Sequence, residues 1–293
     1  MSLLDKFNAV EITADSRITE ADRNFCKSRQ ACYEYSLARL RELTDTIYQC
    51  IEMEKTMSED GINYYFTITG YSKEIKSSHW NFIENIVSYF AKTYSLDLYA
   101  DKIKTALIPE EPSYNRYYYD TELAKEVNQK HEEWENLIYK TLVINYNDIL
   151  DRIFTQLNGL SFQELALEQL KDKSRAAANY IDRYSGKLIK EFYTLKAATL
   201  SFDGCYRDYG HWSLYDKTKS ILRAAAHFEF GNFNTPTVYG WHDLLGKWSY
   251  DEDQYDLTTE KVIRFKSFKN RRFDIKFASP QLAQQFVDEY LKV

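Results

Sequence analysis

KVIRFKSFKNRRFDIKF, running from Lys261 to Phe277, is the stretch on which the fold class turns. Residues 261–267 and 271–277 alternate apolar and charged side chains around a turn at Phe268-Lys269-Asn270. Alternation of period two is the mark of a strand with one buried face. The pattern sends Ile263, Phe265, Phe273, Ile275 and Phe277 inward and Arg264, Lys266, Arg272 and Lys276 outward. One face is core and the other a basic platform, with seven cations against the single acid Asp274 between Lys261 and Lys276. Such a platform suits phosphate contacts. Charged outer faces also keep strands from pairing with other chains, and Asp251, Glu252, Asp253, Asp256 and Glu260 are near enough in sequence to neutralise this one. Ser279-Pro280 then caps a terminal helix.

Working back from the hairpin, the remaining signals are mostly helical. Thr19-Glu-Ala-Asp22 has the form of a cap, and Phe25, Leu37, Leu40, Leu43, Ile47 and Ile51 recur near helical spacing until Gly61, which predicts a long first helix. Residues 62–69 read as a short aromatic strand. A helix over 78–95 and a shorter one ending before Pro109 follow, then a loop over 110–119. Leu123, Val127, Trp134, Ile138, Ile149 and Ile153 keep one stripe from Asp120 to Asn158-Gly159, which predicts a single helix of about ten turns, by the 3.6-residue period. A helix of that length exceeds what a small domain covers and points to an arm or an oligomerisation surface. Ser161-Phe-Gln-Glu164 is a capping box that opens another helix, ending near Ser185-Gly186. A strand over 187–195 and helices over 213–230 and 237–248 complete the order. The fold class is α+β and mainly helical, with long N-terminal and central helices, a small antiparallel sheet that includes the hairpin, and a terminal helix. Two domains are expected: a Tyr-rich, acidic helical region, 1–159, and an α+β domain, 160–293.

Charge is divided unevenly between them. The chain of 293 residues carries a net −6, but residues 1–159 hold 18 basic and 26 acidic side chains, giving −8, and residues 160–293 hold 20 and 18, giving +2. Phosphate repels the acidic half, so nucleic-acid contact belongs to the second. No run approaches the roughly 20 apolar residues of a membrane span, and residues 1–11 lack the pattern of a signal peptide, so a cytoplasmic location and no membrane partner are expected. The 25 tyrosines form clusters, notably Tyr117, Tyr118 and Tyr119. Exposed tyrosine favours protein interfaces because it is rigid and amphipathic, which makes these three candidate binding residues. A low-GC genome, whose codons enrich Tyr, Asn, Lys and Ile together, gives the same excess.

Motifs of catalysis are missing from the sequence. GxSxG, P-loop and GxGxxG patterns do not occur, and Glu135 stands where a zincin needs histidine after His131-Glu132. Cys26, Cys32, Cys50 and Cys205 contain no CxxC pair. Cys32 and Cys50 share a helix face but lie five turns apart, beyond disulfide reach, so all four read as reduced, buried thiols. The loop from Asp203 to Trp212 is the one place where carboxylates, a thiol and a histidine crowd together, and metal or acid/base chemistry there requires Asp203, Asp208 and His211 to converge. The expectation is a non-enzyme without metal or cofactor.

Gly186-Lys-Leu-Ile-Lys-Glu-Phe192, Gly210-His-Trp212, Ala226-His-Phe-Glu-Phe230 and above all Ile263-Arg-Phe-Lys-Ser-Phe-Lys-Asn270 with Phe273-Asp-Ile-Lys-Phe277 carry a resemblance. In order and wording they resemble a family of uncharacterised proteins of phages and integrative elements, some linked to DNA methyltransferases. In that family a glycine usually follows Phe-Lys-Asn, where Arg271 stands here. The resemblance covers a little over a third of the chain and implies no catalytic residues. Over its whole length, in size and helical arm, the chain resembles the proteins that phages use against the bacterial Gabija defence system. That likeness implies a non-enzymatic inhibitor that oligomerises around a nuclease complex and keeps DNA from it. The expected partners are a bacterial defence complex and the protein itself, with nucleic acid secondary. The alternative is a DNA-binding accessory module of a mobile-element DNA modification system, working through the basic hairpin.

Overall fold

A computed structural model describes residues 17–57, 69–112, 121–181 and 187–293. Among the described residues helix outweighs strand, 60% to 16%, so the class is α+β and mainly helical. The chain divides into two compact units, one of residues 1–93 and 98–159, the other of residues 94–97 and 160–293.

The first unit is built on two long helices. In α1 (Glu20–Met57) the Asp22 amide donates to Thr19 Oγ1 (3.2 Å) while the Thr19 amide donates to Asp22 Oδ2 (3.0 Å), the reciprocal cap its sequence predicts. Its buried stripe is Cys26, Tyr33, Leu37, Thr44, Ile47 and Ile51; Leu43, expected on that stripe, is exposed. The second helix, α2 (Thr69–Tyr94), starts nine residues before the predicted position and buries Ile75, Phe82, Ile83, Ile86, Val87 and Phe90. Thr69 is therefore helical, and the rest of the strand expected over 62–69 lies outside the described residues, as do most of the loop expected over 110–119 and Tyr117, Tyr118 and Tyr119 within it. A short α3 (Ala100–Leu107) follows.

The single ten-turn helix predicted for the centre is two helices. After α4 (Thr121–Glu135) the chain widens into a π turn, Asn136–Thr141, closed by the Leu142 amide on the Leu137 carbonyl (2.7 Å). It then leaves helical geometry until α5 (Tyr146–Gln156). The local cause is Asn145, which caps α5 in a reciprocal box with Asp148. The distant cause is α1, whose side chains take up the backbone groups that the break frees. Gln30 donates to the Ile144 carbonyl (3.0 Å) and accepts the Tyr146 amide (2.8 Å). The Arg41 guanidinium donates to the Tyr139 (2.9 Å) and Leu142 (2.8 Å) carbonyls. With these partners a buried interruption costs little; without them each orphaned group costs about 1–3 kcal/mol.

The second unit packs helices on one face of a five-stranded antiparallel sheet. The predicted capping box at Ser161 and Glu164 opens α6 (Phe162–Ala178), which ends earlier than expected and passes into β1 (Asn179–Ile181). The strand expected over 187–195 is divided at Phe192 into β2 (Leu188–Glu191), which pairs with β1, and β3 (Tyr193–Lys196). Then come β4 (Thr199–Asp203), a separate hairpin of β5 (Cys205–Asp208) and β6 (His211–Leu214), α7 (Asp216–Phe230) and α8 (Trp241–Gly246). The chain closes with β7 (Gln254–Asp256), β8 (Val262–Ser267), β9 (Arg272–Phe277) and α9 (Pro280–Phe286), which widens into a π turn at Val287–Leu291. The sheet order is β3-β4-β9-β8-β7. Leu200, Phe202, Val262, Phe265, Phe273, Ile275 and Phe277 cover its inner face and pack with Ile221, Leu222 and Phe228 of α7 and Phe286 of α9.

The predicted hairpin is present, with one correction. A bulge at Ile263 shifts the register of β8 against β9, so that Val262 turns inward and Ile263 is only half buried. Glu229 holds the entry to this bulge, its carboxylate accepting the amides of Glu260 (2.9 Å), Lys261 (2.9 Å) and Val262 (2.8 Å). At the turn, Arg271 has φ 70°, the left-handed region that glycine enters freely.

Candidate functional site

Register decides what the hairpin's outer face offers. Arg264 lies between Asp256 on β7 and Lys276 on β9; Lys266 lies opposite Asp274; Arg272 lies opposite Asp203. Arg264 Nε donates to Asp256 Oδ1 at 2.5 Å, and its guanidinium holds the Asp256 carboxyl below the usual carboxylate range. Arg272 Nε stands 3.2 Å from Asp274 Oδ1 and its guanidinium lies 3.8 Å from the Phe268 ring centroid. The Lys266 ammonium rests 5.2 Å from the same ring. All four predicted cations do share the outer face, but acids of this face interleave with them in register. The result is a mosaic, with both arginines already engaged.

The loop from Asp203 to His211 does not converge. Asp203 ends a strand of the large sheet, whereas Asp208 and His211 face each other across the tip of the β5–β6 hairpin. His211 Nδ1 bonds Asp251 Oδ1 (2.5 Å), forty residues along the chain. Among the described residues no group of three or more His, Cys, Asp or Glu side chains is placed to hold a metal. Cys26 and Cys205 are buried as expected, and burial pushes the Cys205 thiol up, but Cys32 is exposed and Cys50 half-buried. Both thiols lie away from the core stripe of α1.

The outward side of α1 carries exposed apolar side chains. Tyr35, at 65% exposure, Leu43 and Met53, at 62%, are all exposed there. Successive residues turn about 100° around a helix, so Tyr35 and Met53, five turns apart, share one azimuth nearly opposite the buried stripe, and Leu43 lies about 80° from them on its flank. Hydrophobic spacing alone put Leu43 on the wrong side. The misleading signal was its nearness to Leu40 and Ile47; the informative one was Thr44, which the core prefers because its hydroxyl returns to the Leu40 carbonyl (2.8 Å).

Comparisons with protein-family models, with curated proteins and with solved structures return no match to this chain. Among the described residues no helix is long and apolar enough to cross a membrane.

Proposed function

We propose that this chain is a non-enzymatic binding protein of phage or mobile-element origin that engages and inhibits a bacterial anti-phage defence complex of the Gabija type, denying it DNA. The observation that carries the reading is the outward sector of α1, where Tyr35, Leu43 and Met53 stand exposed on a 38-residue helix whose opposite side is core. Exposed aromatic and thioether side chains on a rigid helix are the composition of a protein contact, and α1 belongs to the acidic half, which repels phosphate. The test is a nuclease assay with purified Gabija complex. Wild-type protein should suppress DNA cleavage, and a Tyr35→Asp/Leu43→Asp/Met53→Asp variant with an unchanged circular dichroism spectrum should not. Undiminished inhibition by that variant removes α1 from the contact. Failure of the wild type to inhibit removes the partner.

A second reading, a DNA-binding accessory module, draws on Lys266 and Lys276, outward cations of the hairpin that form no salt bridge among the described residues. The Arg264→Ala/Lys266→Ala/Arg272→Ala/Lys276→Ala variant separates the two. On the first reading it still inhibits. On the second, wild-type protein binds duplex DNA at about 0.15 M salt, and the variant loses most of that binding and most of its salt dependence, roughly 0.9 in slope for each phosphate contact.

A further inference from the structure

A groove of about 700 Å³ opens in the second unit where β2, β3 and the end of β4 meet the first turn of α7. Its volume falls within the range of small-molecule sites, about 300–1,000 Å³. At its wall the chain breaks between β2 and β3 at Phe192, a residue 39% exposed whose amide donates to the Ala178 carbonyl (2.8 Å). Two ammonium groups stand over that one ring, Lys217 at 5.0 Å and Lys190 at 5.6 Å from its centroid. Among the described residues neither lysine has a carboxylate partner. The ring attracts each cation, and both lysines line the groove, so their charges are available to an anion that enters it. The groove's own carboxylates do not fill that role. Glu191 accepts the Tyr193 hydroxyl (3.0 Å), and Asp203 makes no ion pair among the described residues.

We propose that this groove binds a phosphate ester of nucleotide size, its phosphate held by Lys190 and Lys217, with Phe192 positioning the two ammonium groups. Asp203 and Arg272 both line the groove and lie opposite one another in register, so a bare inorganic anion would use only part of this mixed lining. A nucleotide instead offers that carboxylate the hydroxyl and amino donors of its sugar and base, so the mixed lining selects the larger ligand. The site lies in the second unit and does not rest on the contact proposed for α1.

Calorimetric titration of the full-length protein with ATP, and separately with a twelve-nucleotide oligothymidylate, tests the assignment. Wild-type protein should bind ATP, and Lys190→Ala/Lys217→Ala should weaken it by about tenfold or more, the scale of losing charge-assisted bonds to phosphate. Lys196→Ala/Lys219→Ala, which removes the same charge elsewhere on this unit, should change affinity by less than about twofold. Phe192→Leu should give an intermediate loss with both lysines retained. Oligonucleotide binding without ATP binding, abolished by the Lys190 and Lys217 changes, upholds the phosphate site and identifies the ligand as a chain. The inference is overturned if neither probe binds at about millimolar concentration, or if the control pair weakens binding as much as the groove pair. Should the double alanine variant unfold, Lys190→Gln and Lys217→Gln singly carry the same comparison.

Discussion

Arg271 holds a left-handed backbone at φ 70° immediately after Phe268-Lys-Asn270, a conformation that glycine enters freely. A side chain there costs about 1 kcal/mol relative to glycine. Arg271→Gly should therefore raise the stability of the second unit by up to that amount, read as a higher urea midpoint at unchanged slope. The buried pair Tyr33 and His79 makes a second prediction. The Ile138 carbonyl can only accept, so His79 Nε2 carries the hydrogen (2.9 Å); Nδ1 then accepts from the Tyr33 hydroxyl (2.7 Å), whose oxygen accepts the Ile144 amide (3.2 Å). Burial above all holds the His79 pKa below its usual value, so the unfolded chain binds the proton more tightly than the folded one. Stability should accordingly be full above about pH 6.5 and fall as pH drops through that unfolded value, by at most about 1.4 kcal/mol per pH unit, levelling once the folded imidazole also protonates. Thermal unfolding between pH 8 and pH 5 checks the sign. Tyr33→Phe should cost about 1–3 kcal/mol at pH 7.5, because it strands the Ile144 amide and one imidazole nitrogen.

Among the elements, the central break shows what was legible and what was not. Asn145 and Asp148 spell an N-terminal cap in the sequence, and the β-branched pair Val143-Ile144 before them is poor helix, so a stop could have been read there. The stripe of Trp134, Ile138, Ile149 and Ile153 outweighed it because eleven residues, close to three helical turns, separate Ile138 from Ile149. The groups that make the break tolerable, Gln30 and Arg41, lie more than ninety positions away and carry no local signature of that task. Gln30→Leu should destabilise the first unit by about 2–4 kcal/mol, through two stranded backbone groups, whereas Asn145→Ala should cost only about 1 kcal/mol. Chemical denaturation of both variants orders them. The hairpin shows the complementary case. Alternation exposed its faces to view, but the bulge at Ile263 depends on Glu229 of α7, and Asp256, the acid that engages Arg264, comes from β7, a strand of three residues with no pattern of its own.

For the whole molecule, the surplus of tyrosine and the exposed sector of α1 predict self-association, although the ten-turn helix that first suggested it is two shorter ones. Light scattering at micromolar concentration should give a mass above the 34.8 kDa of one chain, and the Tyr35→Asp/Leu43→Asp/Met53→Asp variant should fall toward it if the same sector serves both contacts. A monomeric wild type would leave α1 to the partner alone. The sheet order of the second unit also bears on how the protein is made. β4 hydrogen-bonds β9, so Phe202 meets Phe273 across about seventy intervening residues. A ribosome adding roughly 5–20 residues per second needs several seconds to span that gap. Throughout it, β4 has emerged with Leu200 and Phe202 unsheltered and one edge unpaired, while α1 and α2 have long been synthesised. Nascent chains are thus vulnerable at one known place, and slower translation lengthens the exposure.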